Sequence, residues 1–406
     1  MSIENTSAIN DSSATGTHAR NARWVLPLGT AILVIEGWDL GALGTSGPAL
    51  LDSGQWGATK ATLGMLGSVL SLGMPIGGIL AGRASDTWGR RTPTLIGLAL
   101  AALGMAISGS APNLGLFAAG LTLTGTATGA LTILTITFVA DSAPPHRRSF
   151  HICVAQCGVA IGGLIVPFAG RALLDRHSFQ ALFLIGMLAL ILIPVTWFVL
   201  PNSLASTAPR PRSPLRALRA APWWRPTVLF SLTSILVLLL VSGVAVWLPT
   251  LLVDRGFDLH SALGFTVAFN GGAIAGTVSA ALIADRGHSK ITTIVCLGCA
   301  CLALLALSAV GTTWLMLLMS ALAGVGTFGT QNLLNSFIAG SFPAELRGTA
   351  LGTIAGVGRI GAIAGPGFVS AATALFAGSG VGFFALIIPA LLAAAVLSLI
   401  QPLRHD

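Results

Sequence analysis

The chain has 406 residues, of which 54% are hydrophobic and only 8% are charged. Soluble domains carry roughly 25% charged residues, so this composition excludes an ordinary soluble fold and favours a chain surrounded by lipid. The formal net charge of +8 does not predict a nucleic-acid partner. In so apolar a chain, the positions of the charged residues matter more than their sum.

Five cysteines lie inside apolar stretches, where cysteine usually packs as a small hydrophobic side chain. Cys296 and Cys299 form a C-x-x-C pair, but no second ligand pair follows them. No metal site, redox site or cofactor is therefore expected.

Apolar runs of about 20 residues, the length that crosses a bilayer, recur twelve times between turn and charge clusters. The predicted spans are 24–50, 62–82, 92–110, 113–140, 150–171, 179–200, 227–252, 261–284, 290–310, 312–341, 348–376 and 380–402. A linker rich in proline and arginine, 201–226, separates a first bundle with its N-terminal tail, 1–200, from a second bundle, 227–406. The sequence predicts an all-α membrane protein with twelve transmembrane helices in two pseudo-symmetric six-helix bundles.

The distribution of lysine and arginine predicts the orientation of these spans. If the N-terminus is cytoplasmic, 16 of the 21 basic residues fall in cytoplasmic segments and four fall in outer loops. The remaining one, Arg359, lies within the eleventh span. Both termini are therefore predicted to be cytoplasmic, in a multi-pass protein of the inner membrane.

The first span contains two acidic residues, Glu36 and Asp39, on either side of Trp38. Side chains three residues apart share one face of a helix. Two carboxylates close together in an apolar span favour a group that takes up and releases protons near neutral pH, so Asp39 is predicted to couple protons with assistance from Glu36. The alternative is a helix-end acid solvated at the outer surface.

The loop after the second span reads Gly-Arg-Ala-Ser-Asp-Thr-Trp-Gly-Arg-Arg over 82–91, with a weaker copy over 281–287. An aspartate here can bond the N-terminus of a neighbouring helix while the arginines hold other cytoplasmic helix ends. Contacts of this kind would form in one conformation and break in another; the alternative is simple anchoring by positive charge. The predicted switch residues are Asp86, Gly89, Arg90, Arg91, Asp285, Arg286, Asp141, Arg148 and Arg347.

The two halves superpose at a single shift of 199 residues. The matching pairs are Asp86 with Asp285, Pro144 with Pro343, Arg148 with Arg347, Gly162 with Gly361, and Pro167 with Pro366. A parallel repeat of six helices is a recurrent plan of transporters, and the matched residues are interpreted as structural.

The charges without a repeat partner are more informative. At the same shift, Glu36 and Asp39 fall on the apolar Ile235 and Leu238, and Arg359 falls on Ala160. An ionisable side chain near the middle of a bilayer costs roughly 2.5–3.5 kcal/mol on insertion scales and normally faces a cavity. These three charges are therefore expected to serve function.

The eleventh span carries the strongest candidate for binding an anion. Arg359 lies 12 residues after Arg347, or about 18 Å along a helix, and its planar guanidinium matches a carboxylate. The alternative role for Arg359 is an internal ion pair with Asp39 or Glu36. Neighbouring glycines at 356, 358 and 361 spell G-x-G-x-x-G, but no strand precedes them, which excludes a dinucleotide site; they are interpreted as room for a ligand and for close helix packing. Further candidate substrate-binding residues are Trp38, Gln331 and Asn332.

The loop over 82–91 matches the G-x-x-x-D-x-x-G-R-R signature of the major facilitator superfamily. Within it, the chain resembles the aromatic acid:proton symporter family through Glu36–Asp39 with 47–50, the motif Trp-Leu-Pro-Thr at 247–250, and the stretch 343–366. The likeness covers most of the chain and implies the major facilitator fold and proton-coupled symport of a small organic anion, an aromatic carboxylate. It departs where Glu36 replaces the usual first aspartate and where Leu121 and Thr122 replace an arginine.

Two other functions compete with symport. The first is export of drugs or metabolites by proton antiport within the same superfamily. The second is an integral-membrane enzyme, which would need clustered catalytic residues within the spans, and the sequence shows no such convergence. The expected partners are therefore an organic anion, protons and the lipid bilayer, with the protein acting as a monomer.

Overall fold

The structure is a computed structural model that describes residues 4–144, 148–174, 178–200, 218–219, 221–284, 289–309, 312–376, 378 and 380–400. Within this part of the chain, twelve helices are long and apolar enough to cross a membrane. The first six are α1 (Glu4–Asp52), α2 (Lys60–Trp88), α3 (Arg91–Gly109), α4 (Leu114–Ser142), α5 (Arg148–Leu173) and α6 (Ala181–Val199). The chain of α6 tightens into a 3₁₀ segment over Met187–Ile191.

The second six helices begin at Trp224, within the last residues of the predicted linker. They are α7 (Trp224–Asp254), α8 (Leu259–Ala284), α9 (Ser289–Ala309), α10 (Thr313–Ser341), α11 (Ala344–Leu375) and α12 (Val381–Ser398). All twelve predicted spans are confirmed, with ends that differ by a few residues, except that the helix α1 begins at Glu4 and its apolar part at Arg23. Within the predicted linker, 201–217 and 220 lie outside the described residues.

Capping residues fix the ends of several helices, and exposed apolar side chains indicate that lipid surrounds them. Thr59 caps α2 through a reciprocal pair of hydrogen bonds with Thr62, and Asn113 caps α4 by accepting from the backbone of Leu116. Large apolar side chains such as Phe198 and Trp314 are 76% and 81% exposed. A surface of that kind is stable only in contact with lipid.

The internal repeat reappears as a repeated packing contact. A Cβ atom added to Gly125 of α4 would overlap the carbonyl oxygen of Leu70 in α2. One added to Gly324 of α10 would overlap the carbonyl oxygen of Phe269 in α8. Each member of one contact lies 199 residues from its counterpart in the other. Small residues allow these backbones to touch, so α2 packs on α4 as α8 packs on α10.

Helices α1 and α7 follow a slightly different shift. Gly162 of α5 meets the carbonyl of Val34, whereas Gly361 of α11 meets the carbonyl of Ile235. Val34 and Ile235 are 201 residues apart, as are Pro48 and Pro249 within the same two helices.

This difference corrects the predicted mapping of the acids. Glu36 and Asp39 correspond to Val237 and Leu240, and not to Ile235 and Leu238 as predicted. The cause is the connection 53–59 between α1 and α2, which is longer than the connection 255–258 between α7 and α8. Both true counterparts are buried and apolar, so the acids still have no charged counterpart.

The two halves meet where α2 packs against α11 and where α5 packs against α8. At one end of these interfaces, Lys60 of α2 forms an ion pair with Asp254 of α7, with an Nζ–Oδ2 distance of 2.6 Å. At the α5–α8 interface, Arg171 of α5 donates from Nε to Nε2 of His260 in α8 over 3.0 Å. These contacts join the halves at the end predicted to face outward.

Candidate functional site

A cavity of about 160 Å³ lies between the two halves. Helices α1, α2 and α5 line it from the first half, and α7, α8, α10 and α11 line it from the second. Its walls are mostly apolar, and Phe269 and Phe328 add aromatic surface from the second half. An apolar cavity of about 150 Å³ accommodates a benzene ring, so the space suits a ligand with one ring.

Arg359 is the charged side chain among the described residues that line this cavity. Its Nη1 lies 3.0 Å from the sulfur of Met74 in α2. Between described side chains, the ion pairs are those of Lys60 with Asp254 and of Arg90 with Asp141. The guanidinium therefore remains available to an anion that enters the cavity.

The glycines near Arg359 serve packing more than ligand access. A Cβ on Gly358 would overlap the hydroxyl of Ser234, and one on Gly361 would overlap the carbonyl of Ile235. Both contacts bring α11 against α7. The interpretation of these two glycines as room for a ligand is therefore wrong, whereas Gly356 has open space around it.

Glu36 lies between α1 and α4 and is 5% exposed. Its Oε1 accepts a hydrogen bond of 2.8 Å from the hydroxyl of Thr132, and its Oε2 has no hydrogen-bond partner among the described residues. Its charge is attracted electrostatically by Arg359. Glu36 does not line the cavity, but it interacts electrostatically with Arg359, which does.

Asp39 is more deeply enclosed, at 1% exposed. Its Oδ1 has no hydrogen-bond partner among the described residues and faces Gly186 of α6, next to Met105 of α3. Glu36 and Asp39 interact electrostatically, but they face different neighbours. The structure thus places both acids inside the first half, Glu36 against α4 and Asp39 against α6.

The other predicted substrate-binding residues lie away from the lining of this cavity. The indole nitrogen of Trp38 donates to the carbonyl of Leu182 over 3.0 Å. Asn332 donates from Nδ2 to the hydroxyl of Thr277 over 3.0 Å, and Gln331 donates to Asn335 over 3.4 Å. Their observed contacts join helices or successive turns of one helix.

Several of the predicted switch residues have side chains or backbone that the structure describes in detail, and their switching role stays a prediction. Arg90 pairs from Nε with Oδ2 of Asp141 at 3.3 Å and also donates to Ser85. Arg91 lies 3.6 Å over the ring of Trp197, a cation–π contact. Gly89 has a positive φ of 75°, which favours glycine and ends α2. Asp285, Arg286 and the side chains of Asp86, Arg148 and Arg347 lie outside the described part of the chain.

Sequence reasoning missed several polar residues of the cavity, among them Ser71 in α2 and Asn270 in α8. The available signal was an amide in the middle of an apolar span, which is uncommon without a partner or a ligand. Asn270 is 9% exposed. The cavity thus combines one cation, one buried amide and two aromatic rings.

The chain is similar to known membrane transporters along most of its length. The family model described as Major Facilitator Superfamily matches residues 30–366. The gentisate transporter of Corynebacterium glutamicum is 31% identical over 388 residues, covering 93% of this chain and 87% of that protein. The 3-(3-hydroxy-phenyl)propionate transporter of Escherichia coli K12 is 31% identical over 387 residues, covering 93% of each chain.

The fold also resembles a solved transporter structure. A bacterial homologue of the human lysosomal transporter Spinster, in an inward-facing and occupied conformation, superposes with a TM-score of 0.76. The identity is 15%, and the match covers 93% of this chain and 96% of that one. These comparisons confirm the fold class and the family resemblance predicted from the sequence.

Proposed function

The chain belongs to the Major Facilitator Superfamily, whose members are transporters and not enzymes, and we propose that it is a proton-coupled symporter of small aromatic carboxylates. The observation that carries the proposal is the cavity between the halves, where Arg359 is combined with aromatic and aliphatic walls. The names of the two relatives, both of which are transporters of aromatic acids, support the same cargo.

The cavity matches the two parts of such a substrate. A guanidinium can donate two parallel hydrogen bonds to a carboxylate, and Arg359 makes its described polar contact with the weak acceptor sulfur of Met74. An aromatic ring packs against other rings with an edge or an offset face, which Phe269 and Phe328 offer. A bound acid would therefore neutralise Arg359 while its ring fills the apolar space.

Glu36 is suited to carry the coupled proton because Thr132 can bond it in either state. When Glu36 is ionised, the Thr132 hydroxyl donates to it over 2.8 Å. When Glu36 is protonated, it can donate to Thr132, whose own proton then turns to the carbonyl of Thr128 at 2.9 Å. We propose Glu36 as the primary coupling group and Asp39 as the second, which reverses the ranking predicted from the sequence.

Substrate and proton would be coupled through Arg359. With the cavity empty, the positive charge of Arg359 favours ionised Glu36. A bound carboxylate cancels that charge, so Glu36 takes up a proton more readily once the acid is present. Binding of the acid thereby favours protonation of Glu36, and protonation of Glu36 favours binding of the acid.

Alternating access would arise from rocking of the two halves, 1–200 and 227–406, about the central cavity. The Lys60–Asp254 and Arg171–His260 contacts would close the outer end, and the contacts of Arg90 with Asp141 would belong to the cytoplasmic end. This assignment rests on the excess of basic residues on one side, with both termini cytoplasmic in the inner membrane. One chain contains the whole cavity, so a monomer would suffice.

Uptake into proteoliposomes tests the function. Purified protein should accumulate labelled benzoate or hydroxybenzoate when the outside is more acidic than the inside, and dissipation of the pH gradient should abolish accumulation. A neutral analogue such as benzamide should not accumulate. Efflux driven by inward proton flow would instead support the antiport exporter, and equal counts in protein-free vesicles would contradict transport of these acids.

A further inference from the structure

The central cavity has two polar ends that occupy corresponding places in the repeat. At the α2–α11 interface, Ser71 and Arg359 line it, whereas Asn270 lines it at the α5–α8 interface. Ser71 and Asn270 are separated by the repeat shift of 199 residues, and the repeat counterpart of Arg359 is Ala160. The second end therefore offers an amide where the first offers a cation.

The amide of Asn270 is held in one orientation. Its Nδ2 donates to the carbonyl of Thr266 over 3.0 Å, one turn earlier in α8. Because one edge of the amide is engaged by this bond, Oδ1 must point away from the α8 backbone and toward α5. Among the described residues, no donor bonds this oxygen, although the side chain is only 9% exposed.

Gly163 of α5 provides the space for this oxygen. A Cβ added to Gly163 would lie 2.5 Å from Oδ1 of Asn270, closer than such atoms approach. Both residues line the cavity. This oxygen borders the space that the ligand fills, and leaving it without a donor becomes unfavourable once a ligand shuts it off from water.

We propose that Asn270 is a specificity-determining residue whose Oδ1 accepts a hydrogen bond from a hydroxyl group on the aromatic ring of the substrate. This inference rests on the proposed function and names its substrate class as ring-hydroxylated aromatic acids. Arg359 binds the carboxylate at the α2–α11 end, and the ring hydroxyl donates to Asn270 at the α5–α8 end. A site that bonds a hydroxyl rejects analogues without one, because its own polar atom is then left unpaired.

Ligand replacement tests the inference on the unaltered protein. Binding of 3- and 4-hydroxybenzoate, the corresponding fluorobenzoates and benzoate is measured by calorimetry in detergent. Fluorine is small and does not donate, so at least one hydroxybenzoate should bind roughly tenfold more tightly than its fluoro counterpart and than benzoate. Equal affinities for hydroxylated and fluorinated acids would overturn the inference.

Two variants test the residue itself. Asn270→Leu removes the acceptor at similar volume and should reduce the preference for hydroxybenzoate over benzoate to less than about threefold. Gly163→Ala keeps Asn270 but displaces its oxygen, and should reduce the same ratio. Thr137→Val, on an exposed face of α4 where the hydroxyl bonds the Ile133 carbonyl, should leave the ratio unchanged.

The outcomes separate this inference from the proposed function. If the parent binds both classes of acid and Asn270→Leu preserves the hydroxyl preference, the inference is wrong and the function stands. If the parent binds none of these acids, the proposed function fails, and the inference fails with it. The fluorobenzoate comparison decides the matter even where Asn270→Leu does not fold.

Discussion

Helices α1 and α7 occupy equivalent places in the two halves, yet of these two only α1 carries buried acids in the middle of its span. Both pack through the same contact, in which a glycine of α5 or α11 meets a backbone carbonyl of α1 or α7. Where α1 has Glu36 and Asp39, α7 has Val237 and Leu240, and all four side chains are buried. The glycine contact is therefore present in both halves and the acids in one, which is consistent with our proposal that the acids serve coupling and not packing.

The role of the acids can be tested by making α1 resemble α7 in charge. Glu36→Gln keeps the size and the bond to Thr132 but cannot exchange a proton. We expect gradient-driven accumulation of benzoate to be lost, while exchange of labelled for unlabelled benzoate continues. Asp39→Asn should reduce accumulation less.

Uptake and exchange in the same proteoliposome preparation measure both effects. The control is Thr132→Ser, which retains the hydroxyl and should retain accumulation. A Glu36→Gln protein that still concentrates benzoate under a pH gradient would show that Glu36 does not carry the coupled proton.

The repeated contacts should matter for stability, and two adjacent glycines of α8 allow a matched test. A Cβ on Gly272 would overlap the carbonyl of Ala321 in α10, whereas Gly271 has open space. Gly272→Ala should destabilise the protein by about 1–3 kcal/mol through overpacking. Gly271→Ala should be neutral or slightly stabilising, since alanine favours a helix.

Thermal unfolding in detergent compares the two alanine variants directly. Gly73→Ala in α2, the repeat counterpart of Gly272, should show a similar loss because its Cβ would approach Thr122 of α4 closely. Equal melting temperatures for Gly271→Ala and Gly272→Ala would contradict the packing described for α8 and α10.

Contacts outside the repeat should affect rate more than affinity. Arg90→Gln removes the ion pair with Asp141 and should slow transport several-fold, while the dissociation constant for benzoate changes by less than about tenfold, or 1.4 kcal/mol. Initial rates and equilibrium binding are measured on the same protein. Arg90→Lys, which keeps the charge, should be less impaired; loss of affinity at normal turnover would rule out a switching role.

The smallest effect is expected at the outer end. The side chains of Lys60 and Asp254 are 45% and 27% exposed, and an exposed ion pair contributes about 0–1 kcal/mol. Lys60→Met should therefore change the uptake rate by less than about fivefold, and Lys60→Arg should change it less. A complete loss of uptake in Lys60→Met would assign this pair a much larger part in closing the outer end than its exposure allows.

The spans, and the position of Arg359 within one of them, could be predicted from the sequence. A run of about 20 apolar residues and an isolated charge within it are strong signals. The sequence was insufficient for the register of α1 against α7. The residues that defined the shift of 199 all lie after α1. Their spacing therefore does not depend on the longer connection between α1 and α2.

The sequence also could not predict which neighbouring helix each side chain faces. Glu36 and Asp39 lie on one broad face of α1, but a difference of three residues still turns them toward different helices, α4 and α6. That difference depends on which helices surround α1. The same reason explains why Asn270 went unnoticed: its exposure to the cavity depends on how α5 packs on α8 around Gly163.

Arg359 is proposed to bind the carboxylate of the substrate, and a comparison of two ligands on two proteins measures this contact. Benzoate and benzamide are titrated against the purified parent and Arg359→Lys, which keeps the charge but loses the planar fork. We expect the parent to prefer benzoate, and Arg359→Lys to weaken benzoate binding roughly tenfold or more while benzamide binding changes little. Benzoate bound by Arg359→Lys at the parental affinity would show that Arg359 does not bind the carboxylate.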